Sequence, residues 1–518
     1  MRTRDWIALA AVLLLGLGLR FPVAGIVLER DEGGYAYIAQ RWLQGEVPYQ
    51  QSFDQKPPGV YAAYAVIERT LGTSPQAIHW GAQLYTLLTL AAVFLLGRRL
   101  FGEAAGFAAG AWAALMTVDH GFLGNAANTE TFMLLPLTAG LGAALLAKER
   151  GSWRWAAACG ACSGLALLFK QVAVTDAVLY LALLGFAGAG RGLLFAAFFA
   201  GAAAVWTPVA AYFAATGAAS RFFDCVIGYN LNYAAGLPLA AYFVNFWTTF
   251  SRTIPALWPI YLLALAGGVM LEGTGGPIVL AWLACSMLGA CPGGFFRPHY
   301  YLQAVPALAL LAAGGASELC RRWSLPRPTP YILTTAVLLC GIWSGSWYYG
   351  PGSPTAKCRK LYGANPFPEA VDTARLIAQL TTPQDRVFVF GSEPEILYYA
   401  GRQSATRYIY VYPLFLPSSD AAARQQEMLL EARAAHPKII VTVFSRTSFL
   451  ASIRSPLAIF SQVKELLQGY QLAAVVLSNP RNPTQLIIAQ EARRMWKELP
   501  MWYDRPLWGT LAVWERKS

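Results

Sequence analysis

The chain has 518 residues, of which 56% are hydrophobic and 13% charged, against about 25% charged in an ordinary soluble domain. Its apolar runs recur at about the thickness of a bilayer, which excludes a wholly water-soluble globular protein. The formal charge of +12 comes from Lys and Arg scattered at the ends of apolar runs, with no basic stripe, which argues against a nucleic-acid footprint.

The opening Met1-Arg2-Thr3-Arg4 and the apolar run to Leu28 resemble a signal peptide. The run is close to bilayer length and lacks an Ala-x-Ala cleavage site, so a retained first helix is expected. Spans are predicted near residues 6 to 28, 77 to 97, 104 to 119, 131 to 147, 155 to 169, 172 to 189, 192 to 215, 253 to 271, 276 to 293, 300 to 316 and 328 to 346, about eleven in all. Threading them from a cytoplasmic amino terminus gathers Arg98, Arg99, Lys148, Arg150, Arg154, Arg191, Arg321, Arg322 and Arg327 on one side. Short loops rich in Lys and Arg stay inside, so that side is expected to be cytoplasmic. The loop 29 to 76, the loop near 119 to 130, the stretch 216 to 252, the turn 294 to 299 and everything after Trp347 then face outward.

Lys170 and Gln171 interrupt an apolar stretch from 155 to 189. A lysine at mid-membrane costs about 2.5 to 3.5 kcal/mol, so Lys170 is expected either to face a wet cavity or to lie at a helix end. Cys159 and Cys162 have C-x-x-C spacing inside an apolar run and read as two small buried thiols rather than a redox or metal pair. Trp247, Trp258 and Trp347 read as interface anchors.

After Gly350 the composition turns soluble. Helices are expected over 366 to 380, 393 to 400, 421 to 435 and 457 to 470, and strands over 386 to 390, 438 to 443, 471 to 477, 485 to 489 and 511 to 515. The fold class is therefore an α-helical polytopic membrane protein, residues 1 to 346, with a C-terminal mixed α/β domain over 347 to 518. Cys358 is the one cysteine of that tail, so no disulfide framework is expected there.

The chemistry concentrates in the first outward loop. Asp31 and Glu32 are adjacent carboxylates at the mouth of the first span; such a pair can keep one group as a base while its neighbour binds or orients. An ordinary solvated acidic turn is the other reading. Lys56 precedes Pro57 and Pro58, which stiffen the backbone beneath a cation and suit it to a phosphate, although the same tripeptide also makes plain turns. Asp119 and His120 in the second outward loop are expected to be solvated rather than catalytic.

The pattern Asp31-Glu32-x-x-Tyr35 after a first span, followed by Lys56-Pro57-Pro58-x-x-Tyr61, resembles the membrane C-type glycosyltransferases. Within them it is similar to the protein O-mannosyltransferase and lipid A aminoarabinose transferase superfamily. The resemblance extends to Asn125-Ala-Ala-Asn128-Thr-Glu130 and to Arg297-Pro-His299-Tyr300-Tyr-Leu, and so covers residues 1 to about 346. The tail, with Val389-Phe-Gly-Ser-Glu-Pro-Glu, is similar to tails on bacterial members.

That resemblance implies a C-type glycosyltransferase fold in a bacterial inner membrane, a polyprenyl-phosphate-sugar donor, a periplasmic active site and inversion at the anomeric carbon. Asp31 would be the general base. Glu32, Glu130, Asn128 and Tyr35 would orient the base or the acceptor, which is a glycan such as lipopolysaccharide, a lipid or a protein. Lys56, Arg297, His299 and Tyr300 would meet the leaving phosphate. Lys170 is an equal alternative to Arg297 in that role, and His299 reads equally as part of an aromatic interface belt. Cations placed in advance in a water-poor cleft act most strongly as the leaving group gains charge, and the scheme requires no cofactor and no divalent metal. The rival reading is a multi-pass lipid-sugar flippase or transporter, which many spans and an embedded lysine also fit; a membrane receptor with a soluble sensor domain leaves the acidic and Lys-Pro-Pro loop unexplained.

Overall fold

A backbone surrounded by lipid must satisfy its own N–H and C=O groups, so each long apolar run has to become a helix. In the computed structural model, which describes residues 2–186, 190–234, 237–273, 275–416, 420–451, 455–477, 485–498 and 510–517, every predicted run falls on one. They are α1 (Thr3–Arg20), then, after the two helices described below, α4 (Pro75–Phe101), α5 (Glu103–Met116), α6 (Thr129–Arg150), α7 (Trp153–Phe169), α8 (Val174–Gly185) and α9 (Arg191–Ala215). After the short α10 (Ala219–Phe223) and α11 (Tyr229–Ala234) come α12 (Leu239–Phe250), α13 (Ile254–Met270), α14 (Gly275–Gly289), α15 (Val305–Arg322) and α16 (Thr329–Ser344). Among the described residues, five helical stretches are long and apolar enough to cross a membrane: Pro75–Phe101, Thr129–Arg150, Arg191–Ala215, Leu239–Met270 and Pro298–Arg322.

Small residues let these helices approach closely. A Cβ on Gly160 of α7 would run into the Phe198 carbonyl of α9, and one on Gly201 would run into the Ala157 carbonyl in return. At one end of the bundle, ion pairs tie helix ends together: Arg98 to Asp5 (3.0 Å), Arg4 to Glu103 (2.8 Å), Arg322 to Glu272 (3.4 Å), and Arg99 to Glu149.

The opposite end departs from the sequence reading. The first helix stops at Arg20 rather than Leu28; Arg20 is buried and donates to Gln83 Oε1 (3.2 Å) and the Asn125 carbonyl (2.6 Å). The first loop is also not a loop throughout. It holds α2 (Arg30–Leu43) and α3 (Gly59–Leu71). A capping box starts α2: the Glu32 N–H donates to Glu29 Oε1 (3.3 Å) and the Glu29 N–H donates to Glu32 Oε2 (3.2 Å). Two orphan donors are thereby satisfied, by a Glu where Ser or Thr is the usual signal. The stretch expected as loop before 253 likewise carries α12, which runs on through a short 3₁₀ turn into α13.

The tail follows α17 (Ser346–Tyr349) with α18 (Pro354–Tyr362), α19 (Phe367–Leu380) and a six-stranded sheet. Its strands are β1 (Arg386–Phe390), β2 (Gln403–Ser404), β3 (Ile439–Phe444), β4 (Tyr470–Leu477), β5 (Gln485–Ile488) and β6 (Thr510–Arg516), in the order β2-β1-β3-β6-β4-β5. The first three are parallel and the remaining pairings antiparallel. β3 is buried along its whole length, which explains why it reads as an apolar run interrupted only by Thr442 rather than an alternating one. Between β1 and β2 lies α20 (Pro394–Ala400), and this corner of the tail rests on α2. A Cβ on Gly33 would strike Glu395, and one on Gly34 would strike the Tyr410 hydroxyl.

Candidate active site

α2 delivers Asp31 to a cavity of about 400 Å³ between the first loop, the segment before α15 and the tail. Asp31, Lys56, Arg297, His299 and Tyr300 all line it, together with Glu29, Arg30 and Arg252. The tail closes it with Tyr362, Asn365, Tyr412 and Thr447 among others. A second cavity of about 300 Å³ shares Gln55, Lys56 and Tyr300 with the first and continues past Lys170 along Val172, Val226, Ile227 and Leu231. A polar chamber thus meets an apolar groove at Gln55, Lys56 and Tyr300.

Asp31 is in the first turn of α2 and half-buried. The positive end of the helix dipole favours a carboxylate there, and among the described residues no side chain or N–H donates to its carboxylate. Glu29 beside it is held well above the usual carboxyl range by burial and by the neighbouring Asp31 and Glu32 charges. Lys56 is held from behind, since its carbonyl accepts from the Tyr49 (2.7 Å) and Tyr61 (3.2 Å) hydroxyls. The one Tyr61 proton is shared between that carbonyl and the nearer Asp54 carboxyl (2.9 Å). Burial raises the Asp54 carboxyl above its ordinary value, and the Lys56 charge opposes that rise.

Of the two readings of Lys170, the helix end is the one observed, and the cavity it borders is the apolar groove rather than the polar chamber. α7 ends at Phe169, Lys170 is extended (φ −157°), and a 3₁₀ turn then leads into α8. Its ammonium pairs with Glu130 and lies 3.7 Å from the centre of the Tyr300 ring, at the edge of the apolar groove. Arg297 precedes a 3₁₀ turn over Pro298–Ala304, with its guanidinium 5.9 Å from the Phe295 ring. His299 packs against Tyr300 at 5.0 Å and lines the polar cavity rather than an outer belt.

Four predicted residues do not line either cavity. Glu32 is fully buried and turned inward, hydrogen-bonded to His79 Nε2 (2.9 Å) and accepting from the Ala127 N–H (2.7 Å). It therefore joins α2 to α4 and the second loop. Glu130 is occupied by Lys170 and by the Thr129 hydroxyl (2.9 Å). Asn128 is the buried N-cap residue of α6, and Tyr35 is buried against Tyr61 and Tyr64. The expectation that Asp119 and His120 are solvated is corrected. Asp119 is fully buried, accepts from the Gly121 N–H (2.8 Å) and faces His120 Nδ1 at 3.3 Å, while the His120 ring packs on Trp347.

Sequence reasoning missed Arg252 and every tail residue in the cavity. Arg252 is a lone cation between apolar helices, with no spacing to mark it, and the tail residues reach the cavity only through folding. Among the described residues, no group of three or more His, Cys, Asp or Glu side chains is placed to hold a metal ion.

A sequence model of the dolichyl-phosphate-mannose-protein mannosyltransferase family matches residues 55–211. No curated protein matches the sequence. Among solved structures, the chain is similar to ArnT from Cupriavidus metallidurans bound to undecaprenyl phosphate, with a TM-score of 0.62 at 15% identity over 99% of this chain and 98% of that one. It is also similar to the oligosaccharyltransferase AglB from Archaeoglobus fulgidus, in complex with an inhibitory peptide and a dolichol-phosphate, with a TM-score of 0.54 at 12% identity over 96% of this chain and 75% of that one. The chain therefore shares the fold of these two structures over nearly its whole length.

Proposed function

We propose that the chain is an inverting glycosyltransferase that moves a sugar from a polyprenyl-phosphate donor to an acceptor hydroxyl. The observation that carries this reading is the junction of the two cavities: Lys56 and Tyr300 belong to both, with Asp31, Arg297 and His299 on the polar side and Lys170 on the apolar side. The apolar groove suits a prenyl chain, and the lysines at its inner end suit the phosphate. The sugar then projects toward Asp31. ArnT and AglB, whose fold the chain shares, were solved with undecaprenyl phosphate and dolichol-phosphate respectively.

The acceptor hydroxyl gives its proton to the Asp31 carboxylate as its oxygen attacks the anomeric carbon. The bond from that carbon to the phosphate oxygen breaks, and the phosphate leaves with the electron pair. Attack opposite the leaving group inverts the centre. Lys56, Arg297 and Lys170 stabilise the charge that grows on the phosphate. The acceptor, a glycan, lipid or protein, enters from the side covered by the tail.

The end bearing Arg98, Arg99, Arg321 and Arg322 is cytoplasmic in this reading, since Lys and Arg concentrate there, and the cavity and tail lie in the periplasm of a bacterial inner membrane. Alkaline phosphatase fused after residue 360 should be active; an inactive fusion with an active cytoplasmic reporter overturns the orientation. Sugar transfer is tested with purified protein in nanodiscs and a labelled polyprenyl-phosphate-sugar. Asp31→Asn should lose about 10² to 10⁴ in kcat, the span of general-base assistance, with donor binding retained. A variant that keeps more than about half of wild-type kcat, with chemistry rate-limiting, removes Asp31 from the mechanism.

A further inference from the structure

Asp31 is gripped by the tail, although among the described residues no tail atom bonds to its carboxylate. The residue before it, Arg30, donates from Nε to the Ser392 carbonyl (2.6 Å) and from Nη2 to Glu393 Oε1 (2.9 Å) and Asn365 Oδ1 (3.3 Å). Its guanidinium also lies 5.7 Å from the Phe367 ring. All four partners belong to the tail. Glu393 is fully buried, and its second oxygen accepts from the Ser448 hydroxyl (2.6 Å). Ser448 is fixed in turn, because its hydroxyl accepts from the Ser392 N–H (2.7 Å). The Ser392 hydroxyl oxygen accepts from the Val411 and Tyr412 N–H groups, each at 2.9 Å.

The contact extends beyond this one pair. The first turn of α2 presents Gly33 to the backbone of Glu395, and Gly34 to Tyr410, whose hydroxyl donates to the Asp31 carbonyl at 3.5 Å. Only glycine permits so close an approach at either place. Arg30 itself shows the strength of the anchor. Burial acts to lower its guanidinium, yet the Glu393 carboxylate raises it above its ordinary value on balance. A charge-assisted bond of this kind is both stronger and more directional than a neutral one, so a carboxylate on a rigid sheet corner holds the helix turn that carries Asp31.

We infer that Glu393 is a positioning residue for glycosyl transfer: through Arg30 it sets the first turn of α2, and so the direction of Asp31, which makes the tail part of the catalytic apparatus. Glu393 lines neither cavity. The inference rests on the proposed transferase activity for its kinetic readout, and on amide exchange for a readout independent of that activity.

The test uses the full chain in nanodiscs. Glu393→Gln keeps the side chain's size but removes the charge that holds Arg30. It should lower kcat about tenfold or more while leaving the donor KM within about twofold, because the donor phosphate is met by other residues. Amide exchange of residues 29 to 34 should rise about tenfold. Arg30→Met should show the same pattern, and the double variant should be no worse than either single one, as for two groups acting as a unit. Ile440→Val, a small cavity in the middle of the tail sheet, serves as control: it lowers tail stability and should leave both readouts at wild-type values. Wild-type kcat and exchange in Glu393→Gln overturn the inference. So does a loss that Ile440→Val shares, since it reports tail stability alone. Should the wild-type protein transfer no sugar, the transferase reading fails by itself, and the exchange of residues 29 to 34 decides the positioning role.

Discussion

The ammonium of Lys170 pairs with Glu130 and at the same time lies 3.7 Å from the centre of the Tyr300 ring, with Glu130 almost fully buried. The pair joins the start of α6 to the break between α7 and α8. It makes a buried cation tolerable, because an isolated buried charge is far costlier than a paired one. Removing one member strands the other.

The first prediction follows from that asymmetry. Glu130→Gln should destabilise the protein by about 3 to 5 kcal/mol, the usual cost of breaking a buried pair. Glu130→Gln with Lys170→Met should regain most of the loss. Thermal unfolding in detergent measures both. A double variant as unstable as the single one shows that the pairing is not what Glu130 contributes.

Lys56 and Arg297 are expected to differ in weight. Lys56 is half-buried and belongs to both cavities, whereas Arg297 is exposed and lines the polar one alone. Electrostatic stabilisation is strongest where water is excluded, so Lys56→Ala should reduce kcat/KM for the lipid donor about tenfold more than Arg297→Ala does. Steady-state rates across donor concentrations settle the order. Wild-type curves for both would exclude both from the phosphate site.

Much of this was legible in the sequence, and the misses have physical causes. Apolar runs fixed where the helices fall because lipid leaves a backbone no other option, and Arg386 to Phe390 was read as a strand with the bounds it has in the fold. The motif residues Asp31, Lys56, Arg297, His299 and Tyr300 meet in one cavity. Glu32 and Glu130 misled because a carboxylate's type reveals nothing of its direction: one turns toward His79, the other toward Lys170. α2 was missed because Glu29 is an uncommon cap. The tail's part in the cavity was invisible, since Asn365 and Thr447 lie more than three hundred residues from Asp31 and only tertiary packing unites them.

Glu68 in α3 supplies a pH prediction. Burial pushes its carboxyl up to about 8 from an ordinary 4.5. A raised folded-state value means that its contribution to stability is complete below about 4.5 and is lost as pH rises through about 8; above that, a buried carboxylate is held at a cost. Glu68→Gln should therefore flatten the fall in stability between those pH values and leave the variant more stable than wild type in mild alkali. Melting temperatures from pH 5 to 9 test it. Parallel curves for the two proteins would show that Glu68 ionises freely.

Asp31 and Glu32 are neighbours in sequence with opposite surroundings, and substitution should separate their roles. Asp31 faces the cavity with no protein donor on its carboxylate among the described residues, so Asp31→Asn changes basicity and little else. Glu32 is fully buried, is hydrogen-bonded to His79 Nε2, and accepts at Oε1 from the Ala127 N–H and at Oε2 from the Glu29 N–H. Glu32→Gln replaces one of those two accepting oxygens by an NH2 group, so that one backbone donor is left facing a donor. A buried group left unsatisfied costs about 1 to 3 kcal/mol, more when a charge was involved. The expected outcome is a fall in melting temperature for Glu32→Gln, with kcat per folded molecule within severalfold of wild type, and the reverse for Asp31→Asn. Activity must be normalised to folded protein by size-exclusion chromatography before the comparison. If Glu32→Gln kept full stability and lost kcat as heavily as Asp31→Asn, Glu32 would belong to the chemistry and not to the brace behind it.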